Sequence, residues 1–255
     1  MRENFVFVFY VVAVAFAEVL TTFMDPGLGL VLHGFILVSL LALSAWKHGE
    51  NPSVSLYLSL SLAPLIRIVS LSLPLAYFPR YAWYLVAGAA IFLAVLMVMR
   101  VMEVRFGDVG VNLENPIVQL AVGVFGLPLG VVEYYILRPE PLVVGLGVFE
   151  LLLLALALIF FTGFVEELVF RGVLQRAAVA SFGRAGGVLG VGVLFACMHI
   201  GWLSLADFIF VLAIGLFFGL VVAETRSLLG VSLAHGLTNV VLFLVLPSVN
   251  FISVY

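Results

Sequence analysis

Residues 142–162 read LVVGLGVFELLLLALALIFFT, with Glu150 the only charged residue among them. A transmembrane helix needs about 20 predominantly apolar residues, so this stretch is long enough to cross the hydrocarbon core once. A strand of an outer-membrane barrel would alternate apolar and polar residues; here every side is apolar, which excludes a barrel. The rest of the 255-residue chain reads the same way. It is 65% hydrophobic and 10% charged, against about 25% charged in an ordinary soluble domain, and its mean hydropathy is +1.31. The fold class is therefore all-α, a polytopic transmembrane helical bundle of about eight helices. Eleven basic and 14 acidic residues give a net charge of -3 with no basic cluster, which excludes nucleic acid as a partner and leaves the lipid bilayer as the surroundings. The single cysteine, Cys197, excludes a disulfide framework and any cysteine-based metal cluster.

Cutting the chain at its charged and Pro/Gly-rich breaks gives apolar stretches at 5–23, 28–46, 53–78, 82–99, 117–137, 142–163, 186–200, 206–223 and 229–246. The long 53–78 stretch carries Pro64 and Pro74 and is expected to kink. If all nine cross, Arg2, Lys47, Arg100, Arg105, Arg171, Arg176, Arg184 and Arg226 fall on one side, Arg80 and Arg138 on the other, and Arg67 inside. That bias predicts a cytoplasmic N-terminus. The first stretch, with Arg2 before it and Ala15-Phe16-Ala17 within it, reads as a retained anchor rather than a cleaved signal, because apolar residues continue through Val19, Leu20 and Phe23. No repeat, linker or low-complexity tract divides the chain, and 100–116 reads as a loop or short interfacial helix. Residues 1–255 are expected to form one transmembrane domain, an integral multi-pass protein, with the plasma membrane of a prokaryote as the expected location.

Ionisable residues inside apolar segments are costly and ask for a partner or a purpose. Here they are Glu18, His33, Arg67, Glu133, Glu150, the group Glu166-Glu167-Arg171, His199, Asp207 and His235. Glu18, Glu133 and Glu150 read as structural: near helix ends, paired with Arg67, or capping a neighbour. His33 reads as a satisfied interior histidine. The C-terminal half differs, because its polar residues come in pairs at helical spacing. Glu167 and Arg171 are i,i+4 and share a face, with Glu166 about 100° away, so that one glutamate is neutralised and the other left free. Phe195 stands one turn before His199 and can wall it. His235 and Asn239 again share a face one turn apart.

This inventory suits hydrolysis. A carboxylate and an imidazole can deprotonate and orient a water, while a second imidazole and a carboxamide can donate to the oxyanion formed at the attacked carbonyl. No serine lies in a G-x-S-x-G setting, and Cys197 would face away from His199, so activated water is the nucleophile expected.

The series Glu166-Glu167-xxx-Arg171, Phe195-xxx-His199 and His235-xxx-Asn239, with Phe170-Arg171-Gly172 continuing the first, resembles the three motifs of the CPBP family of CAAX proteases and bacteriocin-processing enzymes. That family includes the type II CAAX prenyl endopeptidases. The resemblance covers about 142–246, the catalytic core in this reading; residues 1–141 carry no motif and are assigned scaffold or access roles. It implies an intramembrane endopeptidase with its site recessed below the cytosolic surface. In that scheme Glu166 and His199 activate water, His235 and Asn239 polarise the scissile carbonyl and hold the oxyanion, and Glu167, Arg171 and Phe195 support them. The implied substrate is a membrane-associated peptide or a prenylated protein C-terminus. No cofactor is favoured; zinc is the alternative, with Glu166, His199 and His235 as its ligands. The sequence leaves the oligomeric state open. The rival readings are a non-catalytic scaffold or immunity protein, a proton-coupled transporter, and polar residues that merely join packed helices. One difficulty belongs to the simple topology. If 142–163 and 186–200 were each a plain span, Glu166 and His199 would emerge at opposite faces. Either the helix carrying Glu166 runs on through Val169, Leu174 and Ala178 within the membrane, or 142–150 is a separate piece, or the helix carrying His199 projects into the cytoplasm at its start.

Overall fold

The computed structural model describes residues 2–47, 51–74, 77–142, 145 and 147–248, and among them there is no strand. Twelve α-helices follow in order: α1 Arg2–Phe23, α2 Pro26–Trp46, α3 Asn51–Leu60, α4 Leu62–Ser72, α5 Arg80–Val101, α6 Pro116–Val124, α7 Gly126–Leu137, α8 Val148–Ala157, α9 Val165–Glu167, α10 Gln175–Cys197, α11 Leu205–Thr225 and α12 Leu229–Val240. Stretches of π-helix, Leu158–Phe164 and Leu168–Leu174, lie either side of α9, and a third, Val241–Val245, extends α12. Eight segments are long and apolar enough to cross a membrane. The bundle is an integral, multi-pass membrane fold.

Local chemistry sets the breaks. Asp25 caps α2 by accepting from the Leu28 N–H at 2.8 Å, with Pro26 in the first turn where a missing N–H costs nothing. Pro64 cannot donate to the Leu60 carbonyl, and the 53–72 span is broken into α3 and α4 at Ser61, so the kink expected there is present. Val14, Ala17, Leu40, Leu60, Val95, Val169, Leu194 and Val231 are buried in one continuous core. The outer surface carries Phe5, Phe9, Phe35, Leu93, Phe149 and Ile209 exposed, as expected of a face turned to lipid tails.

The arrangement between 148 and 202 resolves the difficulty of the simple topology by the first of the expected routes. The helix carrying Glu166 runs on through Val169, Leu174 and Ala178: the chain stays helical from Val148 to Phe182 and reverses at Gly183, whose φ of 74° and ψ of 171° are open to glycine and strained for other residues. The helix continues because its polar residues are satisfied within the bundle. Arg171 pairs with Glu167, and Gln175 donates to the Gly219 carbonyl at 2.9 Å. From Val148 to Phe182 the helix is about 50 Å long, against a hydrocarbon core of about 30 Å, and the returning arm packs back on it with Gly187 against Val179. Glu166 is 17 residues before Gly183 and His199 is 16 after it. The two arms therefore bring both residues to one level, roughly 25 Å from the turn, and the difficulty of opposite faces disappears. Arg171, grouped by sequence with the basic residues of one surface, is instead buried at 2% exposure. The side chains of Arg2 and Arg80 lie outside the described residues, as do residues 75, 76, 143, 144 and 146 of the 53–78 and 142–163 stretches.

The second device that positions the site is a close helix crossing. α12 lies against Leu158–Phe164. A Cβ on Gly163 would stand 2.6 Å from the Gly236 nitrogen and the Ser232 carbonyl oxygen, and one on Gly236 would stand 2.6 Å from the Ile159 Cα. Two glycines facing across the crossing let the backbones approach as small residues do between membrane helices. Gly163→Ala is expected to force the helices apart and destabilise the protein by about 1–3 kcal/mol, as overpacking does, read as a lowered midpoint of thermal unfolding in detergent.

Candidate active site

The crossing sets α12 beside α9 and the returning arm of α10 beside both. Glu167 is fully buried. Its Oε1 accepts from Arg171 Nη1 at 2.9 Å and faces His235 Nδ1 at 2.8 Å. A carboxylate so placed holds the Nδ1 proton and turns Nε2 to the cavity. Arg171 donates also to the Gly215 carbonyl at 3.3 Å, and its guanidinium carbon lies 4.2 Å from the centroid of the Phe195 ring. That ring is packed between Phe170 at 5.0 Å and His199 at 4.8 Å, and meets His235 edge-on at 6.0 Å. Phe195 thus walls both imidazoles and seats the guanidinium through its π face.

His199 stands just beyond the C-terminal end of α10. Its Nδ1 donates to the Phe195 carbonyl at 2.9 Å, one of the carbonyls that the end of the helix leaves without a backbone donor, and Nε2 is again left for the cavity. Glu166 makes no side-chain hydrogen bond among the described residues. Its side chain is 30% exposed, with Oε2 4.0 Å from His235 Nε2. Asn239 donates through Nδ2 to Thr162 Oγ1 at 2.8 Å, and Thr162 in turn donates to the Leu158 carbonyl. That back-bonding occupies a carbonyl of the helix itself, in keeping with the π geometry of Leu158–Phe164.

Glu166, His199, His235, Asn239, Thr162 and Phe195 line one cavity of about 160 Å³, closed further by Tyr84 and Trp202 and by apolar side chains of α7, α11 and α12. Sequence reading missed Thr162. Its signal was present, a lone hydroxyl in an apolar run four residues before Glu166. Glu166, His199 and His235, the alternative ligand set for zinc, all line this cavity, with His235 Nε2 4.0 Å from Glu166 Oε2.

Of the isolated ionisable residues, Glu18 and Arg67 pair. Arg67 Nε donates to Glu18 Oε1 and its Nη2 stands 2.8 Å from Oε2, with His33 Nε2 at 3.4 Å from the same carboxylate. Nη2 also donates to the Met198 carbonyl at 2.8 Å. A bidentate pair from the N-terminal half therefore grips the peptide unit next to His199. Glu133 does not pair with Arg67; it lines the cavity from α7. Glu150 is exposed in the first turn of α8, its carboxylate folded toward Gly147. Arg67→Lys keeps the charge but loses the fork, and is expected to cost about 1.5–3 kcal/mol, the range of a hydrogen bond to a charged group. Thermal unfolding measures the loss, and turnover should fall with it because His199 is released.

The multi-pass helical bundle encloses two imidazoles, a carboxylate and a carboxamide around one cavity, a set of groups able to activate a water and to hold an oxyanion. Residues 148–241 match the family model for type II CAAX prenyl endopeptidase Rce1-like proteins, and that matched segment carries all three motifs. No curated protein and no solved structure matches the chain. The membrane bundle and the family together make the chain a CAAX-protease-like intramembrane endopeptidase in general terms.

Proposed function

We propose that the protein hydrolyses a peptide bond inside the membrane by water that Glu166 deprotonates and His199 orients, with His235 and Asn239 holding the oxyanion. The observation that carries this reading is the convergence of these four side chains on one cavity from three separate stretches of helix. His199 Nε2 has a lone pair toward the cavity and accepts a hydrogen bond from the water, while Glu166 takes the proton as the water oxygen attacks the carbonyl carbon. The carbonyl oxygen becomes an oxyanion that receives His235 Nε2–H and the second N–H of the Asn239 amide. His235 in its imidazolium form, between Glu166 and Glu167, balances the second of two carboxylates that Arg171 alone would leave uncompensated. Collapse of the intermediate breaks the C–N bond, and Glu166 returns its proton to the leaving amine. No step requires a metal.

The family match supports a prenylated C-terminal peptide as the substrate, reaching the cavity from the bilayer. The basic residues Arg100, Arg105, Arg184 and Arg226 support a cytoplasmic N-terminus, since all lie at or next to connections on one side of the alternating spans. Purified protein in detergent is expected to cleave a quenched, farnesylated CAAX peptide at a rate unchanged by a chelator. Loss of cleavage with chelator would overturn the metal-free scheme, and absence of cleavage would return the protein to a scaffold or immunity role.

A further inference from the structure

The carboxylates inside the bundle are not all matched by cations. Glu18 has Arg67, and Glu167 has Arg171 and His235. Glu133 and Asp207 have neither. Glu133 is 8% exposed, has no hydrogen bond or ion pair among the described residues, and lines the same cavity as Glu166, His199 and His235. Asp207, in the first turn of α11, is fully buried with both carboxylate oxygens unpartnered. His235 Nδ1 is already taken by Glu167. The apolar part of the cavity wall is formed by Leu129, Phe210, Ile214, Phe218 and Leu242, and the polar part includes Thr162, Thr238 and Asn239.

Apolar walls with one unpaired carboxylate suit a side chain that is aliphatic along its stem and cationic at its tip. A cationic tip placed in the cavity would supply Glu133 with the ion-pair partner that it lacks among the described residues. We propose that Glu133, backed by Asp207, forms a specificity subsite that takes a lysine or arginine side chain of the peptide substrate close to the scissile bond. This deepens the hydrolase reading and rests on it for the word substrate. A free C-terminal carboxylate is turned away from the same wall, so the peptide's C-terminal end must leave the cavity elsewhere.

The test uses N-acetylated, farnesylated CAAX-type peptides in which the residue before the farnesylated cysteine and the residue after it are each in turn lysine, norleucine or glutamate. Binding to full-length Glu166→Gln protein in detergent is read by microscale thermophoresis, so that no turnover is needed. At one position lysine is expected to bind at least tenfold more tightly than norleucine, with glutamate weakest. In Glu166→Gln/Glu133→Gln the lysine advantage should fall to twofold or less while norleucine binding is retained. Equal affinity for lysine and norleucine at every position overturns the subsite without any change at Glu133, and so does an advantage that survives Glu133→Gln or failure of all the peptides to bind. A lysine advantage in binding together with no cleavage by wild-type protein would uphold the subsite and overturn the hydrolase reading, which separates the two.

Discussion

Glu166→Gln abolishes cleavage and leaves the fold intact. Glutamine has the shape of glutamate but cannot accept the water's proton, and the loss of a positioned general base lowers turnover by about 10²–10⁴. A fall of at least a thousandfold is expected here, because the neighbouring Glu167 is committed to Arg171 and His235 and cannot take over as base. Stability should hardly move. The Glu166 side chain is 30% exposed to the cavity, and its nearest ionic partner is His235 at 4.0 Å, so no buried hydrogen bond is lost. The paired measurement is turnover of the farnesylated peptide and the midpoint of thermal unfolding. Retained turnover would remove Glu166 as the base.

Arg171→Ala is expected to harm stability and activity together. Arg171 and Glu167 are both fully buried in their side chains, and removing one partner of a buried pair costs about 3–5 kcal/mol because the other charge stays behind without compensation. Two further contacts go with the guanidinium: the Gly215 carbonyl loses its donor and the Phe195 ring loses the cation on its face, while Glu167 is left to fix His235 without its own anchor. Thermal unfolding in detergent should show a clear drop, and turnover should fall at least tenfold in the protein that remains folded. An unchanged midpoint would mean that the Glu167–Arg171 pair does not hold the site.

How far the sequence was legible follows from what each feature depends on. The bundle was legible because apolar runs near twenty residues have one physical solution in a bilayer, and the Glu167–Arg171 pair because four residues along a helix is one turn. Even the Glu18–Arg67 pair was among the pairings weighed, since a buried cation among few carboxylates must choose one. Its grip on the Met198 carbonyl was not readable, as backbone acceptors carry no residue signature. Thr162 was passed over because a lone threonine in an apolar helix commonly bonds back to its own turn. The reversal at Gly183 was not read from the sequence; what makes it a tight turn is the packing of Gly187 on Val179, a contact between residues that the turn itself creates. For the same reason Glu133 read as structural until the cavity placed it beside the catalytic groups.

The hairpin at Gly183 also constrains how the chain can change length in evolution. Because Glu166 and His199 are each sixteen or seventeen residues from one turn, an inserted residue in either arm would slide one group past the other by about 1.5 Å and swing it by about 100°. Insertions must then be matched in both arms or absorbed where they occur. A π turn is such an absorber, since bonding i to i+5 accommodates one residue more than an α turn. Leu158–Phe164 and Leu168–Leu174 bracket the two glutamates with that geometry. Length variation among homologous chains is expected to collect in these two stretches, where a residue can be gained or lost while the glutamates between them keep their place opposite the histidines.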